Sequence, residues 1–392
     1  MKVAISGAGV AGPAFAHWMH RAGHEVTLIE AAPHFRTGGY VIDFWGLGYT
    51  IAERMGIEAD IRKVGYQVRE VRAVGADGRV RARLGVDPIR RATHDRYTTV
   101  ARGDLAEVIY RTIENDVETL YSDTITSLDN QPDGVRLTFR NAQPRDFDMV
   151  IGADGLHSTV RSLAFGPESW YAYYLGCQVA ACVLTGYRPR DDDVYVTYNL
   201  PGRQVGRFAM NGDRTLVLFI FRSENPYIPH DLHSCKALVR NHFADAGWET
   251  PGILAALDDV DDLYVDVVSQ IRMPEWSVGR VALIGDAAAC VSLLAGEGTG
   301  LALVESYVLA GELARAGNDI TRAFDAYEAR LRDFIEQKQN GATKFISFFS
   351  AETRLGIAVR NALLHAMNLP FVGDVAMKRA LRDDVDVPDY RL

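Results

Sequence analysis

The feature that most constrains this chain lies at its start. Gly7-Ala8-Gly9-Val10-Ala11-Gly12 is a GxGxxG run between an apolar stretch at 3–6 and a segment of helical composition at 11–22. The first glycine allows a tight turn, the second lets backbone approach a pyrophosphate, and the third lets helix and strand pack closely. The helix N-terminus adds free N–H groups and partial positive charge for phosphates. Gly23 stops the helix, and residues 24–30 read as a second strand ending on Glu30, 18 residues after Gly12. An acid there accepts hydrogen bonds from a ribose and repels a 2′-phosphate, so this site suits FAD or NAD rather than NADP. A glycine-rich turn in an ordinary βα unit is the bland reading. The strand before, the helix after and the acid beyond argue instead for dinucleotide binding.

At 392 residues the chain has room for two or three domains. Its 42 Lys and Arg against 51 Asp and Glu give a net charge of −9. That balance argues against nucleic-acid binding and against attachment to anionic membranes. Cys177, Cys182, Cys235 and Cys290 form no CxxC pair, so neither a disulfide framework nor a metal site is expected. Lys2 and the apolar residues after it resemble a short secretory signal. The strand, glycine turn and helix explain them better. No run reaches the roughly 18 apolar residues of a membrane span. A cytoplasmic protein is expected, as a monomer or homodimer.

After the opening βαβ unit, residues 46–56 and 102–114 read as helices, and 68–74, 80–84, 135–140 and 147–151 as strands. From 166 to 276 the texture becomes β-rich. Strands at 194–200, 204–210 and 215–221 are separated by short glycine turns, which favours an antiparallel sheet, with a helix at 233–246 beside it. Along 215–221, Leu216, Leu218 and Ile220 share one face and Thr215, Val217, Phe219 and Phe221 the other. A buried strand returns at 280–285 and a helix at 300–316; residues 323–367 read as one long helical stretch, with an extended acidic tail from 383. The expected fold is α/β: a Rossmann-like FAD-binding domain, discontinuous over 1–165 and 277–320. A β-sheet substrate domain is inserted at 166–276, and a C-terminal helical segment and tail cover 321–392.

Three more motifs carry chemistry. Gly285-Asp286-Ala287-Ala288 leaves the late strand and leads to the glycine-rich run Ala295-Gly296-Glu297-Gly298-Thr299-Gly300. An Asp there can hold a ribityl hydroxyl, while N–H groups of the following turn face a flavin ring. The others are 152–161, beginning Gly152-Ala153-Asp154-Gly155 and ending on Arg161, and 101–105, with Arg102. The chain resembles the single-component FAD-dependent aromatic monooxygenases, the para-hydroxybenzoate hydroxylase class, from about Lys2 to Arg315. That class has the GxGxxG, DG and GD motifs in this order. Within it the chain is most similar to tetracycline-inactivating and antibiotic-tailoring oxygenases, partly through the segment Arg36-Thr37-Gly38-Gly39-Tyr40-Val41-Ile42-Asp43.

The resemblance implies that Gly7, Gly9, Gly12 and Glu30 bind the ADP half of FAD, and that Arg102 contacts the cofactor. Asp286 would hold its ribityl-pyrophosphate region, with Gly298 in the loop beside the ring. Asp43 matches an acid on the flavin side, Arg36 an arginine assigned to NADPH, and Asp154 and Gly155 a motif serving both cofactors. It further implies reduction by NADPH and oxygenation by O2 of an aromatic or polyketide-like small molecule. The outcome would be hydroxylation or Baeyer–Villiger oxidation, in antibiotic biosynthesis or inactivation. The pattern gives no catalytic triad, and no single acid or base is named. His157 reads as a local hydrogen-bonding residue. One departure stands out: the family's GDAAH and following Pro-Pro are replaced by Gly285-Asp286-Ala287-Ala288-Ala289-Cys290-Val291-Ser292. That change keeps alive a flavin oxidase, dehydrogenase or reductase on the same fold. A non-redox cyclase keeping FAD as scaffold is the other alternative.

Overall fold

The computed structural model describes residues 1–35, 40–317 and 319–392, apart from the side chains of 344, 345, 347, 348 and 370. Val3, Ala4 and Ile5 are fully buried because strand Lys2–Ser6 lies inside a six-stranded sheet. Its order is Ser277–Val278, Val281–Leu283, Met149–Gly152, Lys2–Ser6, Glu25–Glu30, Glu118–Tyr121, parallel except for the first strand. The near-continuous apolar runs of these strands suit a parallel sheet covered on both faces. Helices Ala11–Arg21 and Gly298–Arg315 pack on each other over it. Leu301, Leu303, Val304, Val308 and Leu309 are buried there.

A seven-stranded sheet forms the second layer. Its order is Tyr264–Ile271, Ala172–Thr185, Arg214–Arg222, Arg203–Met210, Val194–Leu200, Glu70–Val74, Val80–Gly85. The pairing is antiparallel except between Val194–Leu200 and Glu70–Val74, which run parallel. Residues 70–85 therefore lie in this sheet, although the sequence grouped them with the dinucleotide-binding part. Parallel pairing needs a distant crossover rather than a hairpin, and short-range turn signals do not reveal it. The 14-residue strand Ala172–Thr185 also carried no recognised signal.

The alternation within Arg214–Arg222 now has two addresses. Val217, Phe219 and Phe221 pack on helix Leu232–Phe243 through Cys235, Val239 and Phe243. Leu216 and Leu218, with Ala181 and Phe208, face Tyr40, Val41 and Ala101 of the dinucleotide-binding part.

The stretch 323–367 is two helices, not one, Ile320–Phe349 and Arg354–Ala366, and a further helix, Pro370–Ala380, follows it. The first break has visible causes. Carbonyls released at Ser350 and Ala351 accept from Arg222 Nε (3.1 Å) and Gly202 N–H (2.8 Å), and the Thr353 hydroxyl caps the next helix at Gly356 N–H (3.0 Å). The tail is extended but anchored. Asp383 accepts from Leu47 N–H (2.8 Å) and pairs with Lys338 (2.9 Å), while Tyr390 N–H donates to Tyr307 Oη (2.9 Å).

Candidate cofactor cradle and active site

The glycine turn is dictated by space. Gly7 has φ +103°, and a Cβ there would sit 2.4 Å from the Ala153 carbonyl oxygen; a Cβ on Gly12 would sit 1.9 Å from the Gly7 oxygen. Neither position can carry a side chain without moving backbone. Gly9 is open except for the Arg102 guanidinium, 3.7 Å from its would-be Cβ. Glu30 ends its strand and accepts from Ala8 N–H and Ala32 N–H, both at 2.8 Å. It shapes the turn as well as standing at the expected ribose position.

The Asp154 segment bolts this turn to the next helix. The Asp154 carboxylate accepts from Thr159 N–H (2.9 Å), Val160 N–H (3.1 Å) and the hydroxyls of Ser6 (3.2 Å) and Ser158. Its side chain is thus committed to protein donors. Gly155 has φ +81° and nothing within 4 Å of a would-be Cβ, leaving the backbone beside it open. His157 sits between Glu168 (Nδ1 to Oε1, 3.0 Å) and Asp266 (Nε2 to Oδ1, 3.3 Å). The Asp266 and Glu168 carboxylates push its pKa up to about 10. It remains a charged local linker.

The Gly285–Asp286 segment is held by side chains from far along the chain. Gly285 turns with φ +62°. Asp286 opens helix Asp286–Ala289, and its Oδ1 lies 3.4 Å from a would-be Cβ on Gly298. The Gly285 N–H donates to buried Glu305 (2.6 Å), which also accepts from Tyr327 Oη (3.1 Å). Arg161, fully buried, donates to the Ala287 (3.1 Å) and Leu156 (2.6 Å) carbonyls and pairs with Glu168 (2.8 Å). Beyond them, Gln270 Nε2 donates to the Val291 carbonyl (2.8 Å) and Gln339 Nε2 to those of Ile271 (2.7 Å) and Cys290 (3.1 Å). The segment lacking the family's His and prolines is therefore braced by two buried amides. Burial pushes the Cys290 thiol well up, so it is an inert packing group.

Arg102 and Asp43 both remain accessible although protein atoms surround them. Arg102 starts helix Arg102–Tyr110, with its N–H donating to the Tyr40 carbonyl (3.0 Å). Its side chain reaches deep among protein atoms yet stays open to solvent, as expected of a cavity wall. Burial opposes its charge, but Tyr40, Asp286 and Tyr264 outweigh that and hold it protonated. Asp43, on strand Val41–Trp45, accepts from Tyr97 Oη and Thr99 Oγ1, both at 2.6 Å. Burial raises its pKa against the pull of those two donors. Asp43 also shares a small cavity with Gly296, Glu297, Gly300 and Lys338.

The structure brings Gly9 and Arg102 together, holds the turn through Glu30 at Ala8, and sets Asp286 beside Gly298 and within electrostatic reach of Arg102, while Asp43 shares its small cavity with Gly296 and Gly300. Arg36 lies outside the described residues. Sequence reasoning passed over Glu305, Tyr327, Arg161, Gln270 and Gln339. Only two had a readable signal: Glu305 interrupts an apolar helical face, and Arg161 closes the Asp154 motif. Among the described residues no three His, Cys, Asp or Glu are grouped to hold a metal, and no helix is long and apolar enough to cross a membrane. A turn that admits no Cβ at Gly7 or Gly12, a helix N-terminus and the Arg102 guanidinium beside Gly9 fit a bound dinucleotide.

Comparison with known proteins agrees. Residues 1–341 match the FAD binding domain family. A flavin-dependent monooxygenase of Legionella longbeachae is 33% identical over 344 residues, covering 86% of this chain and 87% of that protein. Another, from an unknown prokaryotic organism, is 32% identical over 384 residues, covering 94% and 98%. The crystal structure of tetracycline destructase Tet(55) superposes with a TM-score of 0.84 at 31% identity, covering 99% of this chain and 98% of that one.

Proposed function

The chain belongs to the FAD-binding-domain family of flavin-dependent monooxygenases, and from that premise we propose that it uses NADPH and O2 to oxygenate an aromatic or polyketide-like small molecule in the cytoplasm. The products are a hydroxylated ring or a Baeyer–Villiger ester or lactone, in antibiotic biosynthesis or inactivation. The observation that carries this reading is the glycine turn at 7–12 with the accessible Arg102 guanidinium beside Gly9. Beside it, Tyr195, Val183 and Leu218 are only partly buried on the sheet face that packs toward Tyr40 and Val41, and they supply the apolar surface a flat, largely apolar substrate requires. Likeness to a tetracycline destructase makes polycyclic, tetracycline-like molecules the first substrates to try.

FAD, when bound, supplies hydride acceptance and oxygen activation. The chain's own residues bind, orient and exclude water. Gly7, Gly9 and Gly12 admit the pyrophosphate, Glu30 takes the ribose, and Arg102 offsets phosphate charge. Asp286 would hold the ribityl-pyrophosphate region, with the Gly298 backbone N–H and the Asp43 carboxylate on the flavin side. Gly155 lends backbone and Asp154 keeps that backbone in place, while Arg36 meets NADPH. In this reading the FAD-binding unit comprises 1–165 and 277–320, less the strands 70–85 lent to the substrate sheet of 166–276, and 321–392 braces both.

The test is an anaerobic visible spectrum of the FAD-loaded protein before and after NADPH, followed by ¹⁸O₂ incorporation into a substrate panel. Bleaching and labelled product support the reading. Turnover without NADPH use, or product without label, sinks it. Asp286→Ala should weaken FAD binding about tenfold or more with the fold intact.

A further inference from the structure

Two adjacent residues of helix Gly298–Arg315 reach two different cofactor motifs. Ser306 Oγ donates to the Ala11 carbonyl (3.0 Å), inside the helix that follows the glycine turn. Glu305, 1% exposed, accepts from Gly285 N–H (2.6 Å), one residue before Asp286. The face around Glu305 is otherwise apolar (Leu301, Ala302, Val308, Leu309), so a carboxyl there is costly unless its oxygens are used. Its Oε2 is used twice, accepting from Gly285 N–H and from Tyr327 Oη at 3.1 Å.

We propose that Glu305 is a positioning residue for the cofactor: by holding Gly285 N–H it fixes the turn from which the Asp286 carboxylate reaches the ribityl end of FAD. This rests on the assignment of Asp286 made above. Glu305 touches neither cofactor nor substrate and acts through the backbone of the turn.

Its surroundings give this role a pH signature. The groups facing Glu305 are Gly285 N–H from the turn, the Asp286 carboxylate from the short helix and Tyr327 Oη from helix Ile320–Phe349; Glu328 and Arg332 stand behind Tyr327. Burial pushes the Glu305 carboxyl up to about 8; the Gly285 and Tyr327 hydrogen bonds oppose the shift and Asp286 adds to it. Below that pH the side chain is a neutral acid that still accepts from Gly285. Above it, a second negative charge stands beside Asp286, the residue assigned to hold the anionic cofactor. FAD binding therefore favours the neutral form, and affinity falls as pH rises through about 8.

The test uses the full chain, stripped of flavin and titrated with FAD by fluorescence from about pH 6.5 to 9.5, with circular dichroism at each step. Wild-type Kd should rise about tenfold across that range. Glu305→Gln should match wild type at the low end and stay flat, because the amide oxygen still accepts from Gly285 but cannot ionise. Glu305→Leu should bind about tenfold more weakly at the low end with unchanged dichroism. A flat wild-type profile, an unaltered slope in Glu305→Gln, or wild-type affinity in a folded Glu305→Leu overturns the proposal. Should Glu305→Leu fail to fold, the Glu305→Gln profile decides alone. Asp286→Ala separates the two levels. If it too binds FAD normally, the cofactor assignment is at fault; if it weakens binding while the Glu305 variants do not, only the positioning role fails.

Discussion

The glycine turn at 7–12 and the loop at 285–292 both belong to the proposed cofactor site but are built on opposite principles. The first is made by removal: Gly7 and Gly12 leave backbone against backbone, and its hydrogen bonds come from nearby groups such as Glu30 and Ile29. The second is made by addition. Its N–H and C=O groups are held by Glu305, Arg161, Gln270 and Gln339, drawn from four separate elements. A turn fixed by steric exclusion is written in a few contiguous residues. A loop fixed by buried polar partners is written across the whole chain, and each partner left alone would carry a desolvation cost.

Three substitutions sharpen that contrast. Gly12→Val should have the largest effect, because the new side chain meets the Gly7 oxygen with nothing flexible to give way. Flavin content on purification should fall to zero, with at least about 3 kcal/mol lost in urea unfolding. Retained flavin would mean the turn is not set by exclusion. Arg161→Met comes next. It leaves Glu168 and the Ala287 carbonyl without their buried cation, at about 3 kcal/mol, and FAD affinity should drop about tenfold. An unchanged FAD titration would show that this brace does not govern the loop. Gln339→Leu should be mildest, freeing the Ile271 carbonyl for about 1–2 kcal/mol, while that of Cys290 keeps its bond from Ile271 N–H. Amide exchange at 285–292 should quicken while that at 7–12 stays as it was. If both segments loosen together, the two regions are one cooperative unit and the contrast collapses.

Much of the α/β layout was legible because it rests on local cues: Gly23 and Gly56 end helices, Pro201-Gly202 and Asn211-Gly212 turn strands, and the apolar run before Gly7 is a buried strand. What escaped depends on distance. The parallel pairing of Val194–Leu200 with Glu70–Val74 has no local signature, since nothing near residue 70 points to residue 194. The break after Phe349 was hidden because its carbonyls are taken by Arg222 and Gly202, residues of another layer. Among the proposed site residues, the contiguous motifs singled out the glycines, Arg102 and Asp286. Asp154 was legible as a motif member, yet its carboxylate serves the fold's own N–H groups. Gln270 and Gln339 look like any two glutamines until the loop lies between them.

The strand order of the six-stranded sheet also bears on how the molecule is made. Met149–Gly152 pairs on one side with the first strand of the chain and on the other with Val281–Leu283. During synthesis its second edge stays open until the ribosome has also delivered the entire seven-stranded sheet. An apolar, unpaired edge is a template for pairing with another chain. Closing it requires a contact of very large sequence separation, the slow kind. The FAD-binding unit, first to begin, is thus among the last parts able to finish, and its nascent form carries the aggregation hazard that the completed sheet removes.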